Sequence, residues 1–492
     1  MKQASRLGEM LVQAGLVTED QIASAFAAQS QDGGRLGDHL ARLGAIAREQ
    51  LEAFIHRIPR EPASLAATGI DQTELLGLLL KTIYVERLHT IPDFANAIKL
   101  PPHLVMELVR ISVERHYLEA AGSPDSKFGN IRYTLSEQGK QYAMDALNQC
   151  RYVGPVPVTL KDFIEQVSRQ KLTNEVVTED RIRTVLNDLV VDDRLIEQSG
   201  PAMTTSRSIL FYGPPGNGKT SVAVRLATIF EEVIYVPYAI SVDGQLIRFF
   251  DSSIHEPVKK EKTIEDELSV ARRAEHDQRW VPCQRPIAIT GGELTLEMLD
   301  LRFEPNSNIY EAPLHMKALG GCLFIDDFGR QLISPTHLLN RWIVPLESRI
   351  DFLRLNTGKT FRIPFEELLI FSTNLDPEDL MDPAFLRRLP YKIEIAAPTL
   401  HHFREILEME ALKHGLHVTD EIFEHIIYRI THDKGMEIAA YHPRFIIEQV
   451  ASTCRFLGEP PHFNPRYVDH AIDNLRVRRP DNPESPVTHA RV

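Results

Sequence analysis

Gly213-Pro214-Pro215-Gly216-Asn217-Gly218-Lys219-Thr220 follows the apolar run Ser208-Ile209-Leu210-Phe211-Tyr212 and precedes the helix-compatible run Ser221-Val222-Ala223-Val224-Arg225-Leu226-Ala227. The stretch fits G-x-x-x-x-G-K-T in the setting that gives the pattern meaning, a strand before it and a helix after it. Its glycines let the backbone curl so that successive N–H groups converge on one spot, where the helix N-terminus adds partial positive charge. A polyphosphate suits that spot. Lys219 is expected to reach its β- and γ-phosphates, the Thr220 hydroxyl to hold Mg²⁺, and Ser221 to sit beside them at the helix start.

The totals narrow the class. A chain of 492 residues is too long for one core and implies several domains. The net charge of −13 argues against general affinity for nucleic acid, and 43% hydrophobic with 25% charged residues is the balance of a water-soluble globular protein. Cys150, Cys283, Cys322 and Cys454 stand far apart, so they read as thiols in a reducing compartment and not as a zinc site or a disulfide frame. No apolar run is long enough to span a bilayer. A cytoplasmic protein is expected, with any membrane contact made through a partner.

Two further strands complete the pattern begun at Gly213. Gly321-Cys322-Leu323-Phe324-Ile325-Asp326-Asp327 is an apolar strand ending in acids, which places Asp326 at a carboxyl end facing Mg²⁺ and Asp327 where it can orient or deprotonate a water. Glu367-Leu368-Leu369-Ile370-Phe371-Ser372-Thr373-Asn374 ends in an amide able to touch a γ-phosphate or that water. In order and spacing, residues 170–480 resemble an AAA+ ATPase, with Walker A at 213–220, Walker B at 322–327 and sensor 1 at Asn374. The resemblance implies ATP and Mg²⁺ as ligands, ATP hydrolysis as the activity, and a ring of subunits, a hexamer in much of the family. Asp382-Pro383-Ala384-Phe385-Leu386-Arg387-Arg388 looks like the segment that lends an arginine finger to the neighbouring subunit's ATP, which implies that role for Arg388 or Arg387. Tyr441-His442-Pro443-Arg444 resembles sensor 2, with Arg444 reaching back to the γ-phosphate.

The chain departs from the family in two places. Asp327 stands where most members have Glu, one methylene longer, so slow or tightly gated turnover is expected. Residues 251–321 are longer than the usual link between the second strand and Walker B; they suggest a charged helix at Lys259–Arg273 and a hairpin around Ile287-Ala288-Ile289-Thr290-Gly291-Gly292. No aromatic-aliphatic-glycine loop lies where polypeptide threading would need one. Tyr152-Val153-Gly154 has that composition but precedes the phosphate loop. A remodeller or regulator of a folded protein complex fits better than an unfoldase.

The first 60 residues contain a repeat. Arg6-Leu7-Gly8 recurs as Arg35-Leu36-Gly37, 29 residues later, and Leu11, Gly15, Val17, Ile22 and Phe26 have counterparts in Leu40, Gly44, Ile46, Leu51 and Ile55. Two helical hairpins are expected. The spacing resembles the N-terminal domain of type II secretion and MSHA-type pilus assembly ATPases, which implies cyclic di-GMP binding through Arg6, Leu7, Gly8, Leu11, Gly15 and Gln29 and, less well matched, through Arg35, Leu36, Gly37, Leu40 and Gly44. Ile58 stands where the second unit would place its Gln. A plain docking module is the other reading.

Between the repeat and the ATPase pattern, helices around Thr73–Glu86 and Ile91–Ile98, a turn at Leu100-Pro101-Pro102, a longer helix to about Tyr117 and then the strand-like Ile131–Leu135 resemble a winged helix. Ten acidic side chains against eight basic ones across 71–150 favour a protein contact over DNA.

The expected fold is therefore multidomain. A small all-α repeat domain (1–60), a linker (61–70), a winged-helix-like domain (71–150) and a connector (151–200) precede an α/β P-loop NTPase core with a parallel sheet (201–397), an α-helical lid (398–478) and a disordered tail (479–492). The expected function is ATP-driven remodelling of a protein complex, with control by cyclic di-GMP and a link to pilus, secretion or polysaccharide machinery. The competing expectation is a winged-helix DNA-binding regulator that uses ATP as an assembly switch.

Overall fold

A computed structural model describes residues 8, 11–12, 16–32, 36–48, 51, 57–121, 131–258, 276–381 and 383–475. The expected helix at Lys259–Arg273 and the tail from residue 476 onward lie outside these.

The repeat closes on its own small core. Leu11, Val17, Ile22 and Ala25 from the first unit meet Leu36, Leu40, Ile46 and Leu51 from the second. The repeated glycines serve that packing: a Cβ at Gly8 would stand 3.0 Å from Ile22 Cγ2, and one at Gly37 would stand 2.7 Å from Leu51 Cδ2. Five of the residues that the resemblance assigns to cyclic di-GMP are used in this packing. Gly8, Leu11, Leu36, Gly37 and Leu40 are buried in the domain's own core, because two short hairpins have little other apolar surface to bury.

Helices Gln72–Glu86, Ile91–Ile98 and Pro102–Glu114 are followed by the antiparallel pair Leu118–Ala121 and Arg132–Leu135, and then by a fourth helix, Glu137–Gln149, which packs along the first. Three of these four helices start at a capping side chain: Asp71, Thr90 and Ser136 accept N–H bonds from Thr73, Asp93 and Gly139, and the helix Pro102–Glu114 starts on proline instead. Tyr152 is buried in this module's core, its hydroxyl donating to the Pro155 carbonyl at 2.8 Å.

The phosphate-loop strand Ile209–Tyr212 lies in a five-stranded sheet with the order Tyr391–Glu394, Ile209–Tyr212, Leu368–Thr373, Cys322–Ile325, Ile287–Thr290, all pairings parallel. Ile287–Thr290 is thus not half of a hairpin. It pairs in parallel with Cys322–Ile325, Thr290 opposite Ile325, and as the edge strand of the central sheet it gives its backbone groups to that buried neighbour and not to a local turn.

That placement relocates the insertion. The apolar strand Ile234–Pro237, which precedes residue 251, pairs with Trp280–Cys283, antiparallel and outside the central sheet. A second five-stranded sheet, in the order Arg302–Glu304, Ile309–Glu311, Gln245–Arg248, Ala239–Val242, Val158–Thr159, draws its strands from both sides of Ile287–Thr290 and from the connector. Extra chain therefore precedes the second core strand as well as following it. Arg285 locks the arrangement: its side chain, 2% exposed, pairs with equally buried Glu175 and with Glu232, and donates to the Gln170 and Gly320 carbonyls. Helices Leu400–Lys413, Asp420–Tyr428, Tyr441–Leu457 and Pro465–Asn474 surround a separate core built on Phe403, Leu407, Ile426, Ile446 and Val450. Among the described residues no helix is long and apolar enough to cross a membrane, and all four cysteines are free thiols.

Candidate functional site

A cleft of about 740 Å³ opens between the carboxyl ends of the parallel strands and the lid. Its floor is the phosphate loop. The strand Ile209–Tyr212 ends at Gly213, with φ of 133°, where a Cβ would stand 2.5 Å from the Ile395 carbonyl oxygen. At Gly216, with φ of 79°, a Cβ would stand 2.4 Å from Tyr441 Cδ1. Both positions demand glycine, one because a neighbouring strand's backbone approaches and the other because a lid ring does.

Lys219 begins the helix Lys219–Ala227 and folds back over the loop, its ammonium donating to the carbonyls of Gly213 at 3.0 Å and Pro214 at 2.8 Å. Burial lowers its pKa, and the nearby Asp327 and Asp326 carboxylates partly oppose that effect. Lys219 lines the cleft, where a polyphosphate would compete with those two carbonyls for its ammonium.

Thr220 Oγ1 donates to Asp326 Oδ2 at 2.8 Å. The other Asp326 oxygen accepts the Asp327 N–H at 3.0 Å and the Ser372 hydroxyl. A hydroxyl and a carboxylate this close are hard oxygen donors of the kind that Mg²⁺ takes alongside water and phosphate. Asp327 has φ of 48°, a left-handed conformation unusual for its type, which turns its carboxylate toward the sensor strand. There Asn374 Nδ2 donates to Asp327 Oδ1 at 2.9 Å. The Gln331 amide donates to the Asp326 and Asp327 carbonyls at 3.1 and 3.2 Å and so braces the turn after the strand.

Two walls complete the cleft. Leu189, Val190, Val191 and Leu195 form an apolar side; His402, Ile406, Met409 and Tyr441 from the lid face it. An apolar slot beside an anion-binding loop suits a flat base attached to a polyphosphate. The first wall is fastened to the phosphate-loop helix by the ion pair of Asp188 with Arg225. Arg444, in the first turn of Tyr441–Leu457, borders the cleft, largely exposed and paired with Glu448 at 2.8 Å.

The structure thus gathers residues 215–221, Asp326, Asp327, Asn374 and Arg444 in one place. It does not bring Arg387 or Arg388 there. Arg388 pairs with Glu347 at 2.6 Å, and both arginines border a second cleft of about 650 Å³ with Thr205, Arg207 and Tyr391. Of the other candidate residues, Gln29 is half-buried and Gly44 has φ of 70° at the end of a helix with open space around it. Arg6, Leu7, Gly15 and Arg35 lie outside the described residues.

Sequence reasoning missed Ser372, Gln331 and the Leu189–Leu195 wall. Ser372 was legible as a hydroxyl two residues before Asn374, at the end of an apolar run. The wall carries no motif.

A family model described as a domain of unknown function, DUF8689, matches residues 399–474, the helical lid. The chain is 32% identical over 77 residues to the Holliday junction branch migration complex subunit RuvB of Thermomicrobium roseum, a match covering 16% of this chain and 20% of that protein. The chain therefore spans about a fifth of the length of that curated relative. Among solved structures, NtrX from Brucella abortus in complex with ADP aligns with 71% of this chain and 69% of its own, at a TM-score of 0.36 and 12% identity. The Thermotoga maritima RuvB branch migration motor aligns with 65% of this chain and 72% of its own, at a TM-score of 0.31 and 14% identity.

Proposed function

We propose that this protein is an AAA+ ATPase that binds ATP with Mg²⁺ in the cleft between the parallel sheet and the lid, hydrolyses it in a ring of identical subunits, and uses the cycle to remodel a partner protein complex. The observation that carries the reading is the geometry around the two aspartates. Thr220 and Asp326 offer adjacent oxygens for Mg²⁺, and Asp327, one residue on, is held by Asn374 with a carboxylate free to accept a proton from water. Mg²⁺ bound there would offset charge on the phosphate oxygens; Lys219 would add a second positive charge, and Arg387 or Arg388 a third from a neighbouring subunit. The second basic cleft, set apart from the first, suits a residue that works on a neighbour's nucleotide. Phosphate release from the full-length protein tests this reading. Turnover that requires Mg²⁺ and is lost in Lys219→Ala supports it, and Mg²⁺-independent or Lys219-independent turnover sinks it.

The helical module at 71–150 rests on the insertion sheet, with Ala239, Leu246 and Ile309 packed on its core, and the Arg151 N–H and Asn308 amide bridging the two at 2.9 and 2.6 Å. Motion in the core would pass directly to that module. In this reading residues 1–60 are a docking or sensing end. Gly8, Leu11, Leu36, Gly37 and Leu40 are committed to their own core, so cyclic di-GMP would have to be held by residues outside it, Arg6, Arg35, Gln29 and Gly44 among them. Calorimetric titration of the full-length protein with cyclic di-GMP decides between sensing and docking, absence of heat leaving docking. A connection to pilus, secretion or polysaccharide machinery rests on the resemblance of this end alone.

A second reading, a DNA-binding motor, is favoured by the sequence match to a protein named for Holliday junctions. Against it stands the helix Pro102–Glu114, where Arg110 is neutralised by Glu114 at 2.6 Å. Retention of duplex or junction DNA at low salt would reverse the ranking.

A further inference from the structure

The lid helix Tyr441–Leu457 begins without a cap of its own. Ala440 stands at its N-cap position and has no side-chain acceptor to offer. The first N–H groups of a helix lack partners within the helix, and a buried one left unpaired is costly. Here the partners come from the phosphate loop, more than 200 residues away in sequence. The Ala440 N–H donates to Asn217 Oδ1 at 3.1 Å and the Tyr441 N–H to the Gly216 carbonyl at 2.9 Å. The Tyr441 ring closes over Gly216, leaving no room for a Cβ, and Asn217 is 8% exposed beneath the joint. Asn217 lies in the phosphate-binding stretch, yet its side-chain oxygen is directed at the lid.

We propose that Asn217 is a positioning residue: by capping the lid helix in trans along the chain, it sets where Arg444 stands relative to the phosphate loop. Arg444 lies in the first turn of the same helix, one turn from Ala440, so a shift at the cap moves the guanidinium with it. Phosphate drawn onto the loop's N–H groups reorients the Gly216–Gly218 backbone, and the cap transmits that change to the lid. Loop and lid then move as one piece whether or not nucleotide spans them. This rests on the ATPase reading for its consequence, though the cap itself exists without nucleotide.

The test uses the full-length protein with Asn217→Ala, Asn217→Asp and Ala440→Pro. Asn217→Asp keeps an acceptor oxygen, and Ala440→Pro removes the donor from the other side at a φ of −64° that proline tolerates. Hydrogen exchange without nucleotide reads the cap: in Asn217→Ala the Ala440 amide should exchange roughly fivefold faster, the size of a lost cap, while Asn217→Asp retains protection and amides of Leu368–Thr373 stay unchanged. Turnover reads the consequence: Asn217→Ala and Ala440→Pro should lower kcat to the level of Arg444→Ala, with KM for ATP changed less, and adding Arg444→Ala to either should cost nothing more. Unchanged Ala440 protection in Asn217→Ala, or losses that add to that of Arg444→Ala, would overturn the inference while leaving the ATPase reading intact. An absence of turnover in the parent protein would strike the ATPase reading and leave the exchange result to judge the cap.

Discussion

Asn374 Nδ2 donates to Asp327 Oδ1 at 2.9 Å, joining the end of one central strand to the turn after its neighbour. The bond fixes the orientation of a short carboxylate that the left-handed backbone at Asp327 has already turned toward the sensor strand. An aspartate reaches one methylene less far than a glutamate, and the unusual backbone angle changes the direction of that reach.

Asp327→Asn removes the proton acceptor and preserves shape. Its turnover should fall by roughly 10²- to 10⁴-fold, the usual contribution of a positioned base, with ATP affinity retained in equilibrium binding. Asn374→Ala, which frees the carboxylate, should cost less and leave binding intact. Unchanged single-turnover rates in Asp327→Asn would remove it from the mechanism.

Thr220→Val deletes the hydroxyl beside Asp326 and keeps the volume. The Mg²⁺ concentration for half-maximal turnover should rise at least several-fold, whereas nucleotide binding measured in EDTA should be unaltered. Equal Mg²⁺ dependence in variant and parent would mean that the metal sits elsewhere.

Arg388 is held by Glu347 of the same chain and does not line the cleft that holds Lys219. If it serves a neighbour, Arg388→Ala and Lys219→Ala should each be inactive alone, and mixtures of the two should recover turnover wherever an intact arginine faces an intact phosphate loop. Mixtures no more active than their parts would assign Arg388 to a structural pair with Glu347.

Two buried histidines make stability depend on pH. Burial lowers the pKa of His442 to about 4 in the lid, and of His255 to about 4 in the insertion, where it packs between Phe249 and Phe250. A lowered pKa means that the unfolded chain takes up the proton first. Each histidine therefore costs stability as pH falls from about 6.5 toward about 4, by at most about 1.4 kcal/mol per pH unit. Glu367, fully buried without a hydrogen-bond partner for its carboxyl oxygens, has a pKa raised by burial and contributes the opposite slope above the ordinary carboxylate range. Urea midpoints at pH 7.5 and 5 should converge in His442→Gln relative to the parent, and Glu367→Gln should gain stability at pH 7.5. Identical pH slopes in the parent and His442→Gln would show that His442 is not buried neutral.

The phosphate loop, the paired aspartates and the sensor asparagine were legible because each couples a short motif to an apolar strand, and that coupling is local. Chemistry at a strand end needs an acid or amide one residue past a buried run, and Cys322–Asp327 and Leu368–Asn374 state this in consecutive residues. The helices of 71–150 were legible from caps and periodicity for the same reason. The second core strand was not: Ile287–Thr290 and Ile234–Pro237 are both short apolar runs, and only the competition for the edge beside Cys322–Ile325 selects between them. Gly8 and Gly37 recur as a motif would, yet their Cα atoms face Ile22 and Leu51, a packing requirement that looks the same in sequence as a binding one. Sequence alone determined that a polyphosphate-binding loop meets two acids and an amide. Tertiary structure decided which strands carry them, which wall faces the cleft, and that Asn217 points to the lid, because each of these depends on chain segments tens to hundreds of residues apart competing for the same buried surface and the same hydrogen-bond partners.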